Sequence, residues 1–328
     1  MRDSMMEEIK KLKLYIFLFL LTGVLAFYTV FSKKFKSSSY GKTEEEIAIV
    51  DTASISRIQL QGKLPVVNLE RNPSGWTVNN KYQAREQLTG LLLFGLNKLE
   101  VKRPVSENKV NEVKARLLKE GVSISIYSDE GEKRIKVLPN EGDPNSSYYL
   151  KEGSNQPYIV FVPGVKGDIS GLAGLGEQDW RSRSLFRSSP RSLQSIKVSF
   201  YLNPSDGFEI SPKNGIFEVK GLADADSGKI HRYVMLYSLT NVDKYITENQ
   251  EKIVSQLKKT GPIARVLVDD IVDKQDKTVD IYKDIENPKR FYGIISETDE
   301  LVSLNGELFN FILVKKSYFQ KTNKAKSF

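Results

Sequence analysis

Three hydrophobic patterns run along this chain. The first is an unbroken apolar run, Leu14 to Phe31, with no charged residue. Phe, Leu and Val cover every face of it and leave no polar stripe. At about 1.5 Å per residue such a helix approaches the roughly 30 Å hydrocarbon core of a bilayer. The run therefore predicts a transmembrane helix over 14–31, preceded by a short tail over 1–13. It is longer than a signal-peptide core and ends in Phe27-Tyr28-Thr29-Val30-Phe31, not in a small-x-small cleavage site. The expectation is an uncleaved single-pass anchor.

The second pattern is alternation, the period of a half-buried strand. It predicts strands at Ile58-Gln59-Leu60, Val66–Leu69, Trp76-Thr77-Val78, Val122/Ile124/Ile126, Ile135/Val137, Tyr148–Leu150 and Tyr158–Val162. The third is helical spacing. Leu88, Leu91, Leu92, Leu96 and Leu99 predict one helix between Ala84 and Leu99, and a second runs from Ser106 as N-cap to Gly121. The order then recurs at an offset of about 140 residues, a spacing that signals an internal repeat. Ser56–Leu60 has a counterpart in Gln194–Val198, Gly75–Val78 in Gly215–Val219, and Leu117–Gly121 in Leu257–Gly261. Ser106-Glu107-Asn108 answers to Thr247-Glu248-Asn249, where Thr247 and Gln250 have the spacing of a capping box.

The predicted fold class is α+β: an N-terminal transmembrane helix followed by two tandem copies of an antiparallel-sheet-plus-helices unit, the helices on one face. The boundaries expected are a linker over 32–53, a first unit over 54–165, a Gly/Arg-rich connector over 166–192, a second unit over 193–314 and a basic tail over 315–328. Trp180 and Phe186 imply that the connector docks on the body. Trp76 and Phe217 are expected to be buried at matched places of the repeat.

Charge changes the picture less than its total suggests. The formal net charge is +8, but residues 1–46 carry +2 and the tail Lys315–Phe328 carries +5, so the body is close to neutral. A nucleic-acid binder concentrates charge on a folded face, so no nucleic acid is expected. The tail reads as a solvated end or one that touches anionic lipid. The chain has no Cys, which fits an oxidising compartment. Basic residues flank the apolar run equally on both sides, so the orientation rests on the short N-terminal tail staying in the cytoplasm and the long domain crossing. That places the body on the extracytoplasmic side of the cytoplasmic membrane.

Candidate chemistry is sparse. His231 is the only histidine and has no Cys to join it in a metal site. Gly171-Leu172-Ala173-Gly174-Leu175-Gly176 lacks the spacing of a nucleotide loop. Asp269-Asp270 and Asp273/Asp276 lack the ligand ladder of a calcium loop and read as a hairpin tip. No catalytic, cofactor or metal residues are assigned. The densest basic cluster in the body is Arg181, Arg183, Arg187 and Arg191. Arg is enriched at interface hot spots, so Arg181, Arg183 and Arg187 are the candidate partner-binding residues, with internal bracing as the competing role.

Gly75-Trp76-Thr77-Val78, the Leu-rich segment Leu88–Leu99 and Asp179-Trp180-Arg181-Ser182-Arg183-Ser184-Leu185-Phe186 together resemble the motifs of an uncharacterised bacterial domain family with an N-terminal span. The resemblance covers roughly residues 54–315, and extra Ser and Arg in the connector depart from the pattern. Genes of that family often lie beside those of gliding-motility-type ABC transporters, which implies a transporter-associated role. The function expected is a non-enzymatic, membrane-anchored accessory or scaffold subunit, held in lipid by Leu14–Phe31 and partnered with a membrane complex. The alternative is an anchored envelope polysaccharide-binding module or hydrolase.

Overall fold

Alternation along β1 (Arg57–Gln61) fixes the first sheet: Ile58 and Leu60 are buried, while Arg57, Gln59 and Gln61 point to the other face. The computed structural model describes residues 47–321, apart from 50, 187, 272–275, 285 and 288. These divide between Arg181 and Ser182 into two units.

In the first unit β1 pairs antiparallel with β2 (Val67–Asn72) and with β6 (Val122–Ser128). β3 (Gly75–Val78) and β4 (Tyr82–Gln83) continue outward from β2. On the other side follow β7 (Gly131–Pro139), β8 (Ser147–Lys151), β9 (Tyr158–Phe161) and β5 (Glu100–Pro104). The order is β4-β3-β2-β1-β6-β7-β8-β9-β5. Ile58, Leu60, Leu69, Ile124, Ile126, Ile135, Val137, Tyr149 and Val160 make the main core with Leu92 and Leu96 of α1 (Glu86–Asn97) and Ile169 of α3 (Ile169–Ala173). Burying each such side chain contributes about 1.5–3 kcal/mol.

The opposite face has its own, smaller core. Leu138, Leu150 and Ile159 alternate with Val137, Tyr149 and Val160, so they point the other way, against Val113 and Leu117 of α2 (Glu107–Glu120). α2 stops at Gly121, where a Cβ would collide with the Leu117 carbonyl. Helices thus lie on both faces, but α2 covers only the β7–β9 end of its face. A short helix α4 (Glu177–Trp180) ends the unit with Trp180 in the main core.

The second unit repeats this order with other residues. β10 (Leu193–Phe200), β11 (Phe208–Lys213) and β12 (Ile216–Val219) precede α5 (Ser227–Leu239), β13 (Val242–Ile246) and α6 (Gln250–Thr260). β14 (Ala264–Asp270), β15 (Lys277–Lys283), β16 (Arg290–Ile295), β17 (Glu300–Asn305) and α7 (Gly306–Ile312) complete it. Its sheet runs β12-β11-β10-β14-β15-β16-β17-β13. Strand for strand this is the first sheet without its outermost strand. α5 packs on the main core, which holds Phe186, Phe208, Tyr233, Tyr237 and Phe319. Leu257 of α6 packs with Tyr282, Ile294 and Leu301 on the opposite face. The β11–β12 turn is Asn214-Gly215, with φ of 52° and 80°. Two successive positive φ values make the type I′ turn that suits the twist of a hairpin.

Several expectations are corrected here. The α+β reading with helices segregated to one face gives way to two large antiparallel sheets, with seven helices among the described residues, placed on both faces. The physical reason is two-sided burial, which demands consecutive apolar residues such as Val137-Leu138 and Ile159-Val160. No helix among the described residues is long and apolar enough to cross a membrane. The expected single-pass transmembrane helix is not found among them; its segment, Leu14–Phe31, lies outside the described residues, as does the tail over 1–13.

The first unit also begins before residue 54, since Ile47 is buried in its core and Ile49 N–H donates to the Leu96 carbonyl at 2.9 Å. The basic tail is not wholly a free end, because Phe319 is buried in the second core and Lys315 pairs with Asp206 at 3.1 Å. α6 opens at Gln250, after Asn249, and Gln250 Nε2 donates to the Asp299 carbonyl at 3.0 Å, so Thr247 and Gln250 form no capping box. Trp76 and Phe217 do occupy matched register positions, facing Arg71 and Pro212, but both are half-buried at the margin of their cores.

Candidate functional site

The part of the first sheet that α2 leaves uncovered carries a groove. Across β1, β6, β7 and β8 the register aligns Gln61, Ser123, Lys136 and Leu150 in one row. Gln59, Ser125 and Arg134 form the next. α2 contributes Lys114 and Leu118 to one wall, and the turn after β8 contributes Gly153, Ser154 and Asn155. Together they line a groove of about 580 Å³, within the size range of ligand sites. Its polar floor follows from alternation: Ser123 and Ser125 lie between Val122, Ile124 and Ile126, so the same strand feeds the core and the groove.

Two of the groove's cations, Lys114 and Lys136, are answered by neutral groups. Lys136 Nζ donates to Ser123 Oγ at 2.8 Å, and Lys114 Nζ donates to Asn155 Oδ1 at 2.7 Å. Each ammonium has three donors, and among the described residues neither lysine has a carboxylate partner. Arg134 differs. Its Nε and one terminal nitrogen donate to the two Glu132 oxygens at 2.6 and 3.0 Å, and another nitrogen lies 3.5 Å from Glu152. The bond to Arg134 lowers the Glu132 carboxyl below its ordinary range. Glu152 is the only carboxylate on the lining, which holds no aromatic ring and no His. Glycoside hydrolysis needs two facing carboxylates. This set of amides, hydroxyls and ammonium groups suits holding an anion.

The second unit fills the equivalent position differently. Register places Arg265 and Asp280 where Ser123 and Lys136 stand, with Ile294 in the place of Leu150. Arg265 clamps Asp280 in a two-point bond at 2.7 and 2.8 Å, and the Tyr201 hydroxyl donates to the same carboxylate at 3.2 Å. The bond to Asp280 pushes the Arg265 guanidinium up, while burial and the Asp280 charge push the Tyr201 hydroxyl up. On the helix, Val254 packs into the small core of α6 three residues before Leu257, as Lys114 stands before Leu117. The second unit thus holds an acid within its own chain where the first presents cations.

Of the arginines named from sequence, Arg181 and Arg183 fall in different units. Arg181 is 4% exposed; its guanidinium stacks 3.4 Å from the Tyr82 ring centre and donates to Gln178 at 3.4 Å. That is a brace within the first unit. Arg183 belongs to the second, where its carbonyl accepts from Val242 N–H at 2.8 Å. Burial raises the Asp243 carboxyl and the Arg183 charge draws it part of the way back. Arg187 lies outside the described residues.

The connector's aromatics do dock, Trp180 in the first core and Phe186 in the second. His231 is exposed on α5. Gly171 and Ala173 fall in α3, whose N-terminus is capped by Asp168. Asp270 is buried and accepts from Ser188 at 2.6 Å and Ser192 at 2.8 Å, tying the start of the second unit to the end of β14. Among the described residues no group of acids and histidines could hold a metal ion.

Lys114, Lys136 and their amide neighbours escaped the sequence reading. The available signal was a polar residue inside an apolar alternation, Lys136 between Ile135 and Val137, on a strand predicted to sit beside a Ser-bearing one. No family model, curated protein or solved structure matches this chain.

Proposed function

We propose that this chain is a non-enzymatic accessory or scaffold subunit of a membrane complex, of the transporter-associated kind that its motif resemblance implies. The observation that carries this reading is the groove of the first unit, which is equipped to bind: two lysines with neutral partners above a floor of amides and hydroxyls. The second unit, built on the same strand order but with its charge satisfied internally, suits a structural platform. A scaffold needs surfaces that persist without turnover, and large antiparallel sheets buttressed on both faces supply them. The polysaccharide alternative is less well supported, because the groove offers neither paired acids nor a ring on which a sugar could stack.

The test is gentle detergent solubilisation of native membranes, purification through a tag on this chain, and identification of what accompanies it. A membrane protein recovered in fixed ratio, and recovering this chain in the reciprocal purification, is the expected result. A chain that elutes alone and cleaves envelope glycans would overturn the reading.

A further inference from the structure

We infer that the groove between α2 and the open half of the first sheet binds an acidic segment of a partner protein, its carboxylates held by Lys114 and Lys136. The inference rests on the scaffold reading and assigns that reading a site. Charge is the first support. Both ammonium groups meet only neutral side chains, Asn155 and Ser123, so their charge is available to an incoming anion. A carboxylate adds the attraction of opposite charges to the hydrogen bond that a neutral oxygen offers, so it displaces a hydroxyl or amide oxygen from Nζ without leaving either stranded from water.

The second support is the other unit. There the same register pair is Arg265–Asp280, with a carboxylate supplied by the chain itself and covered by Tyr201. The frame therefore accommodates a carboxylate at this register pair, where the first unit has only Ser123 and Lys136.

Peptide is favoured over sugar by the remaining lining. Gln59, Gln61 and Asn155 each present a donor and an acceptor, which matches a peptide backbone. Leu118 is 56% exposed on the helical wall, giving apolar contact for an aliphatic side chain. No aromatic ring is available for a pyranose.

The experiment selects binders to the full chain from a display library of random dodecapeptides, followed by anisotropy titration of synthetic peptides chosen from it. The expected result is enrichment of Asp/Glu-containing peptides whose Kd rises at least tenfold for the Lys114→Gln/Lys136→Gln variant and rises with salt. Both lysines are half-buried, and an unchanged melting temperature shows that the variant folds. Leu118→Glu, at an exposed position, provides a second route: a negative charge on the wall should weaken the same peptides at least tenfold. Enrichment without acidic bias, or affinities unmoved by either variant, would overturn the inference, as would tighter binding of a uronic-acid oligosaccharide than of any selected peptide. Outcomes for the two proposals separate. A partner that still copurifies with the double-glutamine variant leaves the scaffold reading standing and removes this site; acidic peptides that bind in the absence of any copurifying partner do the reverse.

Discussion

The two units share a frame and differ in where they keep their charge. Eight strands follow in the same order in each, with more than one helix on the main core and a single one on the small core of the opposite face. Yet at one register pair the first unit has Ser123 and Lys136, and the second has Arg265 and Asp280. One pair leaves a cation facing a groove; the other closes on itself in a two-point ion pair. Core residues set the frame and must stay apolar, whereas the solvent-side positions of the same strands are free to change. Function should therefore be sought in the polar phase of each alternation, where the units diverge.

The comparison can be broken most severely at the cores. Trp180 is wholly buried in the first and Phe186 in the second. Changing either to Ala should cost about 3–5 kcal/mol in denaturant unfolding. A loss below about 1 kcal/mol for either would mean that the connector does not staple that unit. Next come the small cores. Leu117→Ala and Leu257→Ala remove the matched anchors of α2 and α6, and each should cost about 2–5 kcal/mol. Hydrogen exchange should then rise in the helix concerned, and unaltered protection there would deny the two helices equivalent roles.

A pH effect sharpens the picture of the second core. Tyr233 and Tyr237 are fully buried, their hydroxyls 2.9 Å apart, and Tyr233 donates to the Ile312 carbonyl at 2.7 Å. Burial holds both hydroxyls well above the ordinary tyrosine value of 10.0. Above about pH 10 the unfolded chain releases these protons while the folded one keeps them, so stability is full below that pH and falls as pH rises through it. At full slope the loss approaches about 1.4 kcal/mol per pH unit for each tyrosine. Tyr237→Phe should flatten the decline in alkaline melting curves; an unchanged slope would mean that other groups set it. The smallest effect concerns the ion pair itself. Arg265 is half-exposed, so Asp280→Asn should cost only about 1 kcal/mol or less. A much larger loss would show that the pair is a structural keystone and not a solvent-side variation.

Much of the frame was legible in sequence because its signals are local. Ile58/Leu60, Ile124/Ile126 and Ile135/Val137 announce strands by alternation, and the helices over 86–97 and 107–120 lie inside the expected limits. β5 and its counterpart β13 were missed. They are edge strands, and Glu100-Val101-Lys102-Arg103-Pro104 carries the charges and Pro that protect an edge and so read as a linker. Placement of helices on both faces was hidden because Tyr148-Tyr149-Leu150 looks the same whether one face or two is buried. The groove was less legible still. Lys114 and Lys136 are unremarkable singly, and only the register and the packing of α2 bring them to one place. Arg181 and Arg183 are close in sequence, but the fold stacks the first on Tyr82 and gives the second to the other unit.

The central claim is that the first unit takes from a partner the acid that the second supplies for itself. It is tested most directly by building the second unit's pair into the first, with Ser123→Arg and Lys136→Asp in one chain, and titrating the selected acidic peptides by fluorescence anisotropy. The account predicts a melting temperature close to that of the parent and at least a tenfold rise in Kd, because the new carboxylate answers the charge from within and repels the peptide. Unchanged affinity in a folded variant would contradict it.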